Sequence, residues 1–149
     1  MSWDSYIDNL IGQSKDANGT VHVDRASIIG LDGGAKWTTD AHANALKLNP
    51  NESTNIANAF KSKDFSGFMA GGIYIEGEKY QFLREEDGKV VYGKKKDIGA
   101  VTLQASKTAV VIAHCPEGGQ QGNANKAVAV IARSEEHTSE LQSPDHLVC

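Results

Sequence analysis

From Gly71 to Cys115 the chain folds back on itself roughly every 8–12 residues, and few architectures accept that rhythm. Ile73-Tyr74-Ile75 runs into the turn Glu76-Gly77-Glu78 and returns as residues 79–84. Asp87-Gly88 reverses that strand into residues 89–92. Residues 100–105 follow, then a Ser106-Lys107 turn, then residues 108–115. Short alternating runs separated by glycine and polar turns predict antiparallel strands that are neighbours in space.

Helices are expected at both ends of this meander. Apolar side chains recur at Trp3, Tyr6, Ile7, Leu10 and Ile11, the stripe of an amphipathic helix, with Ser2 as its cap and Asp4 in its first turn. Asp16-Ala17-Asn18-Gly19 is a turn, and residues 20–23 alternate like a short strand. Residues 26–31 read as a strand, Asp32-Gly33-Gly34 as a hairpin turn and residues 35–38 as its return. Asn49-Pro50-Asn51-Glu52 opens a helix with a cap, a proline at the first helical position and a capping-box glutamate. Ile56, Ala59 and Phe60 give it a buried stripe. Asn123 or Asn125 is expected to cap a last helix beginning at Lys126. The class is α+β, a single domain over residues 1–132 with an antiparallel sheet of about six strands.

The 149 residues suit one ordinary core, and 40% hydrophobic with 23% charged residues is a globular balance. No stretch is apolar for long enough to span a bilayer, and no signal peptide opens the chain. A net charge of −4 disfavours a dedicated nucleic-acid binder. Two cysteines, Cys115 and Cys149, fit a reducing, cytoplasmic setting better than a disulfide framework.

Residues 133–149 read differently from the rest. The face begun by Val128, Ile131 and Ala132 gives way to Arg133-Ser134-Glu135-Glu136-His137-Thr138-Ser139-Glu140, polar on every side, and Pro144 follows. This stretch resembles the conceptual translation of a sequencing-library adapter. It is expected to be a non-native or disordered tail that replaces the end of the last helix. It holds Arg133 against Glu135, Glu136, Glu140 and Asp145, so the preceding residues carry a net charge of only −1.

The ordered set of motifs in residues 1–132 resembles the profilin family. The pieces are Met-Ser-Trp-x-x-Tyr-Ile-Asp at the start, Ala26-Ser27-Ile28-Ile29-Gly30-Leu31-Asp32-Gly33 with Trp37, and Gly71-Gly72-Ile73-Tyr74-Ile75 with Lys79-Tyr80. Gly93-Lys94-Lys95-Lys96, Val110-Val111-Ile112-Ala113 and Asn125-Lys126-Ala127-Val128 complete it. The resemblance implies terminal helices packed on one face of the sheet and short helices on the other. It implies an actin-monomer-binding protein of the cytoskeleton that regulates actin polymerisation, binds proline-rich proteins and contacts phosphoinositide lipids. Trp3, Tyr6 and Trp37 match the proline-rich site. Met69, Lys79, Phe82, Arg84, Lys94, Lys95, Lys96 and Asn125 match the actin face.

The residues themselves leave other readings open. Trp3 and Tyr6 by themselves suit a core stripe better, although stacking on a stiff polyproline helix carries little ordering cost. The three lysines equally suit a solvated edge strand that discourages sheet pairing. Lys79 and Arg84 lie five apart, so strict alternation puts them on opposite faces unless a bulge intervenes. His114 and Cys115, adjacent on a strand, point to opposite faces and make a poor nucleophilic pair. No catalytic constellation, cofactor motif or metal-ligand spacing stands out, so no enzyme is expected. A small-ligand sensor or scaffold domain on a similar frame is the alternative, and it requires an interior cavity.

Overall fold

A computed structural model describes residues 4–31, 34, 36–38, 44–86, 88–106, 109–117, 119 and 121–141, with side chains between Tyr6 and Ala132. The elements in order are α1 (Asp4–Gln13), β1 (Arg25–Gly30), α2 (Pro50–Ser62), α3 (Ser66–Gly71), β2 (Ile73–Ile75), β3 (Glu78–Glu86), β4 (Val90–Lys95), β5 (Gly99–Ala105), β6 (Ala109–Pro116) and α4 (Gln121–Leu141). The six strands form one sheet in the order β1-β6-β5-β4-β3-β2, every ladder antiparallel. The meander from β2 to β6 follows the sequence turns in order. β1 then pairs with the far side of β6.

Alternation along the central strands sends side chains into two separate cores. Ile28, Val111, Ala113 and Cys115 meet Tyr6, Ile7 and Leu10 of α1 and Ala124, Ala127, Val128 and Ile131 of α4. Ile29, Val91, Val101, Leu103, Val110 and Ile112 meet Ile56 and Phe60 of α2 and Phe68 of α3 on the other face. The terminal helices therefore share one face and the short helices the other, as expected. No helix among the described residues is long and apolar enough to cross a membrane.

Asn49 caps α2 as its sequence requires. Its side chain accepts from the Glu52 N–H at 2.9 Å, and the Glu52 carboxylate accepts from the Asn49 N–H at 3.1 Å. In the stripe, Ile56 and Phe60 are buried with Ala57, whereas Ala59 is only half-buried.

Three local expectations are corrected. Residues 20–23 are not a strand. The N–H groups of His22 and Val23 donate to Ser14 Oγ and that of Thr20 to the Asp16 carboxylate, so side chains replace a strand partner. The return of the first hairpin is a single bridge, Ile29 to Lys36, because further along that edge of β1 the Ala26 backbone bonds to Asn44 and Leu46 instead; Asp32, Gly33 and Ala35 lie outside the described residues. Neither Asn123 nor Asn125 caps α4, which already begins at Gln121. The Gln121 side chain donates to Val101 O at 3.2 Å, and Asn125 accepts from the hydroxyl of buried Thr102. Ser2, Trp3 and residues 142–149 are likewise outside the described residues.

Candidate functional site

β2 stops at Ile73, opposite Tyr80, so β3 continues from Gln81 without a strand on that side. Beside this open stretch lies a hollow of about 440 Å³ lined by Phe68, Met69 and Gly72, by Lys79, Gln81 and Phe82 of β3, and by Lys94, Lys95 and Lys96. Six of the eight residues expected at the actin face are gathered there. Met69 is 61% exposed, the most exposed large apolar side chain among the described residues. The Lys79 stem runs over Gly72, where an added Cβ would fall 2.9 Å from its Cγ and Cε and where φ is +84°. Only glycine fits that position.

A bulge decides which β3 side chains share a surface. Phe82 pairs with Gly93 and Arg84 with Tyr92, leaving Leu83 as an extra residue. The phase therefore slips by one between Phe82 and Arg84. Lys79, Gln81 and Arg84 fall on the face of Tyr92 and Lys94, while Tyr80 and Phe82 turn to the second core. The Arg84 guanidinium stands 4.8 Å above the Tyr92 ring and 3.2 Å from Glu86. Burial, followed by the Glu86 carboxylate, pushes the Tyr92 hydroxyl above its ordinary pKa.

Tyr92 in turn pairs with Thr102, and Thr102 donates to Asn125 at the start of α4. One row thus crosses β3, β4 and β5 from Arg84 to Asn125. Lys95 stands apart from the row. It faces the opposite side, opposite Gly99, and its ammonium pairs with Glu78. Lys94 and Lys96 are exposed. Gln81 and Tyr92 were not anticipated. Stepping by two from Lys79 finds Gln81, but Tyr92 becomes a neighbour of Arg84 only through the bulge.

The second expected surface lies on the helix-covered face. Tyr6 is 8% exposed and belongs to the core between α1 and α4, and half-buried Trp37 packs against the same cluster. Trp3 is outside the described residues. Cys115 is a free, buried thiol in that core, and burial pushes its pKa up. His114 projects from the other face, its Nδ1 2.5 Å from Asp24 and its ring edge-on to Tyr80. Among the described residues no group of three or more His, Cys, Asp or Glu side chains could hold a metal ion.

The profilin family model matches residues 1–134 of the chain. Profilin of Clypeaster japonicus is 75% identical over 132 residues, covering 89% of this chain and 94% of that one. The crystal structure of Acanthamoeba castellanii profilin II superposes with a TM-score of 0.75 at 30% identity, over 93% of this chain and 99% of its own. Mouse profilin IIa, solved in complex with a double repeat from the FH1 domain of mDia1, shares the fold at 23% identity and a TM-score of 0.66, over 93% of this chain and 99% of its own. In sequence and in fold, the chain belongs to the profilin family.

Proposed function

We propose that this chain holds an actin monomer on the bulged face of β3 and β4 and a proline-rich ligand across α1 and α4. As a profilin-family member it is an actin-monomer-binding protein that regulates polymerisation and binds proline-rich partners. The observation that carries the residue assignment is the Leu83 bulge, which puts Lys79 and Arg84 on the face of Lys94. Met69 supplies apolar contact from the neighbouring hollow, half-buried Phe82 lines the floor of that hollow, and Lys96 and Asn125 bound the face. The cations steer an acidic partner and set the association rate. Phosphoinositide head groups are a competing use of the same cations. Lys95, tied to Glu78, is a rim residue.

The test is Lys79→Glu combined with Arg84→Glu in a pyrene-actin assay. Monomer sequestration is expected to weaken by about tenfold or more, as befits two reversed rim charges. Unchanged sequestration would sink the assigned face.

For the proline-rich ligand, the reading assigns Trp3, Tyr6 and Trp37 to one wall. The small exposure of Tyr6 fits a ring that supports the surface from below. We further propose that residues 133–149 are adapter read-through replacing the native end of α4, in a single domain of residues 1–132. The family match ending at residue 134 supports this. Restoring a native helix end should strengthen binding of a polyproline peptide, read by tryptophan fluorescence; equal binding with and without it would remove α4 from the site. The reading is of a cytoplasmic, cytoskeletal binding protein without catalytic chemistry, supported by the opposite directions of His114 and Cys115.

A further inference from the structure

The β2 edge of the sheet is closed at both ends and open at its centre. Glu76 (φ +55°) and Gly77 (φ +79°) form a two-residue turn between β2 and β3. Across such a turn Ile75 and Glu78 exchange the backbone bonds, so the N–H groups of Gly72, Tyr74 and Glu76 face away from β3. The Gly72 N–H donates to Phe68 O at 2.9 Å. The Glu76 N–H donates to the Glu52 carboxylate, also at 2.9 Å. Between them the N–H and carbonyl of Tyr74 bond to no loop, turn or side chain among the described residues.

A groove of about 450 Å³ runs along this edge, walled by Asn55, Asn58 and Ser62 of α2 and by Phe68 of α3. Its lining includes the carboxylates of Glu52 and Asp64 and no lysine, arginine or histidine. Hydrogen bonds from Ser66 hold the Asp64 carboxyl below its ordinary pKa, so it stays charged. Tyr74, 49% exposed, also lines the groove. The groove shares Phe68 and Gly72 with the basic hollow, yet carries the opposite charge.

We propose that this groove binds a short extended peptide carrying an arginine, paired through its backbone with Tyr74 and through its guanidinium with Asp64. Arginine fits because its planar guanidinium pairs with a carboxylate through two parallel N–H groups and stays charged at any working pH. Asn55 and Asn58, three apart on one face of α2, offer amides to the outer edge of the added strand. The bonds already made at Gly72 and Glu76 confine pairing to a single register. A proline-rich segment is the wrong occupant, since proline has no N–H for the Tyr74 carbonyl.

The probe is the blocked pentapeptide acetyl-Val-Thr-Arg-Val-Thr-amide, titrated into ¹⁵N-labelled protein. The Tyr74 amide and the side-chain amides of Asn55 and Asn58 should shift and saturate, with a Kd on the order of 0.1–1 mM. The same peptide with glutamate in place of arginine should bind at least about tenfold more weakly. Asn55→Trp, which fills the groove from an exposed helical position, should abolish the shifts while leaving the rest of the spectrum unchanged. Three results would overturn the proposal: no saturating shift at Tyr74, equal binding of the glutamate peptide, or an equal response to oligoproline. A Tyr74 shift that follows protein concentration without peptide would also overturn it, by making a second copy of the chain the occupant.

Discussion

Glu52 and Gly77 are twenty-five residues apart, yet the carboxylate of one accepts the N–H of the other at 2.6 Å. The same carboxylate accepts from Glu76 and from Asn49, so one buried side chain caps α2 and pins the β2–β3 turn. Glu52→Ala should cost about 1–3 kcal/mol, since three backbone N–H groups, two of them on exposed residues, lose the carboxylate that accepts them. Asn49→Ala removes only the cap and should cost about 1 kcal/mol. Chemical denaturation measures both. Hydrogen exchange at Glu76 and Gly77 separates them, because only the first change should expose those amides.

Gly99 is the tightest of the described glycines. Its φ is +132°, and an added Cβ would lie 2.1 Å from the carbonyl oxygen of Cys115. Gly99→Ala should therefore cost at least about 2 kcal/mol and loosen the end of the β5–β6 ladder. A urea midpoint close to that of the parent would refute the strain argument.

Asp24 makes acid stability testable. Burial would raise its carboxyl pKa, but the His114 bond and the charges of His114 and Arg25 outweigh it and hold the carboxyl below its ordinary value. A depressed carboxylate stabilises the fold above the unfolded value of about 3.9 and loses that contribution as pH falls through the folded value. Urea midpoints taken from pH 7 downward should fall on the acid side, and Asp24→Asn should flatten that limb. A parallel acid limb in the variant would remove Asp24 from the account. At the alkaline end, burial pushes Tyr80 up to about 12, so its contribution should persist to about pH 10 and fade above it.

Adjacent lysines should behave differently. Lys94 lies on the face shared with Gln81 and Arg84, whereas Lys95 faces away and pairs with Glu78. Lys94→Ala should slow actin association several-fold and leave stability nearly unchanged. Lys95→Ala should change association little and cost less than about 1 kcal/mol, as partly exposed ion pairs do. Stopped-flow association and thermal melts together check the contrast; equal kinetic effects would refute it.

The parts of this fold legible in the sequence were those encoded locally. The meander, the Asn49 capping box and the α1 stripe from Tyr6 to Ile11 each rest on residues a few positions apart, and each formed as expected. The misread segments were settled by distant partners. Residues 20–23 alternate, but Ser14 and Asp16 claim their amides. Residues 35–38 follow a turn sequence, but Asn44 and Leu46 take the Ala26 backbone on that edge of β1. Asn125 looks like a cap and instead binds Thr102. For the candidate site, the lysines were visible as a run, but their facing was not. Periodicity assigns Lys79 and Arg84 to opposite faces, and only pairing with β4 shows where the slip occurs.

That slip makes Leu83 a parity switch. Everything from Arg84 onward in β3 is written in the opposite reading phase from Lys79 to Phe82. A strand straightened without losing a residue would turn Arg84 inward and present Glu85 in its place, converting a cationic surface to an anionic one. Loss of Leu83 itself would leave Arg84 opposite Tyr92. Among relatives, one gap in this strand is therefore compatible with an unchanged binding face, while a bulge displaced along it is not.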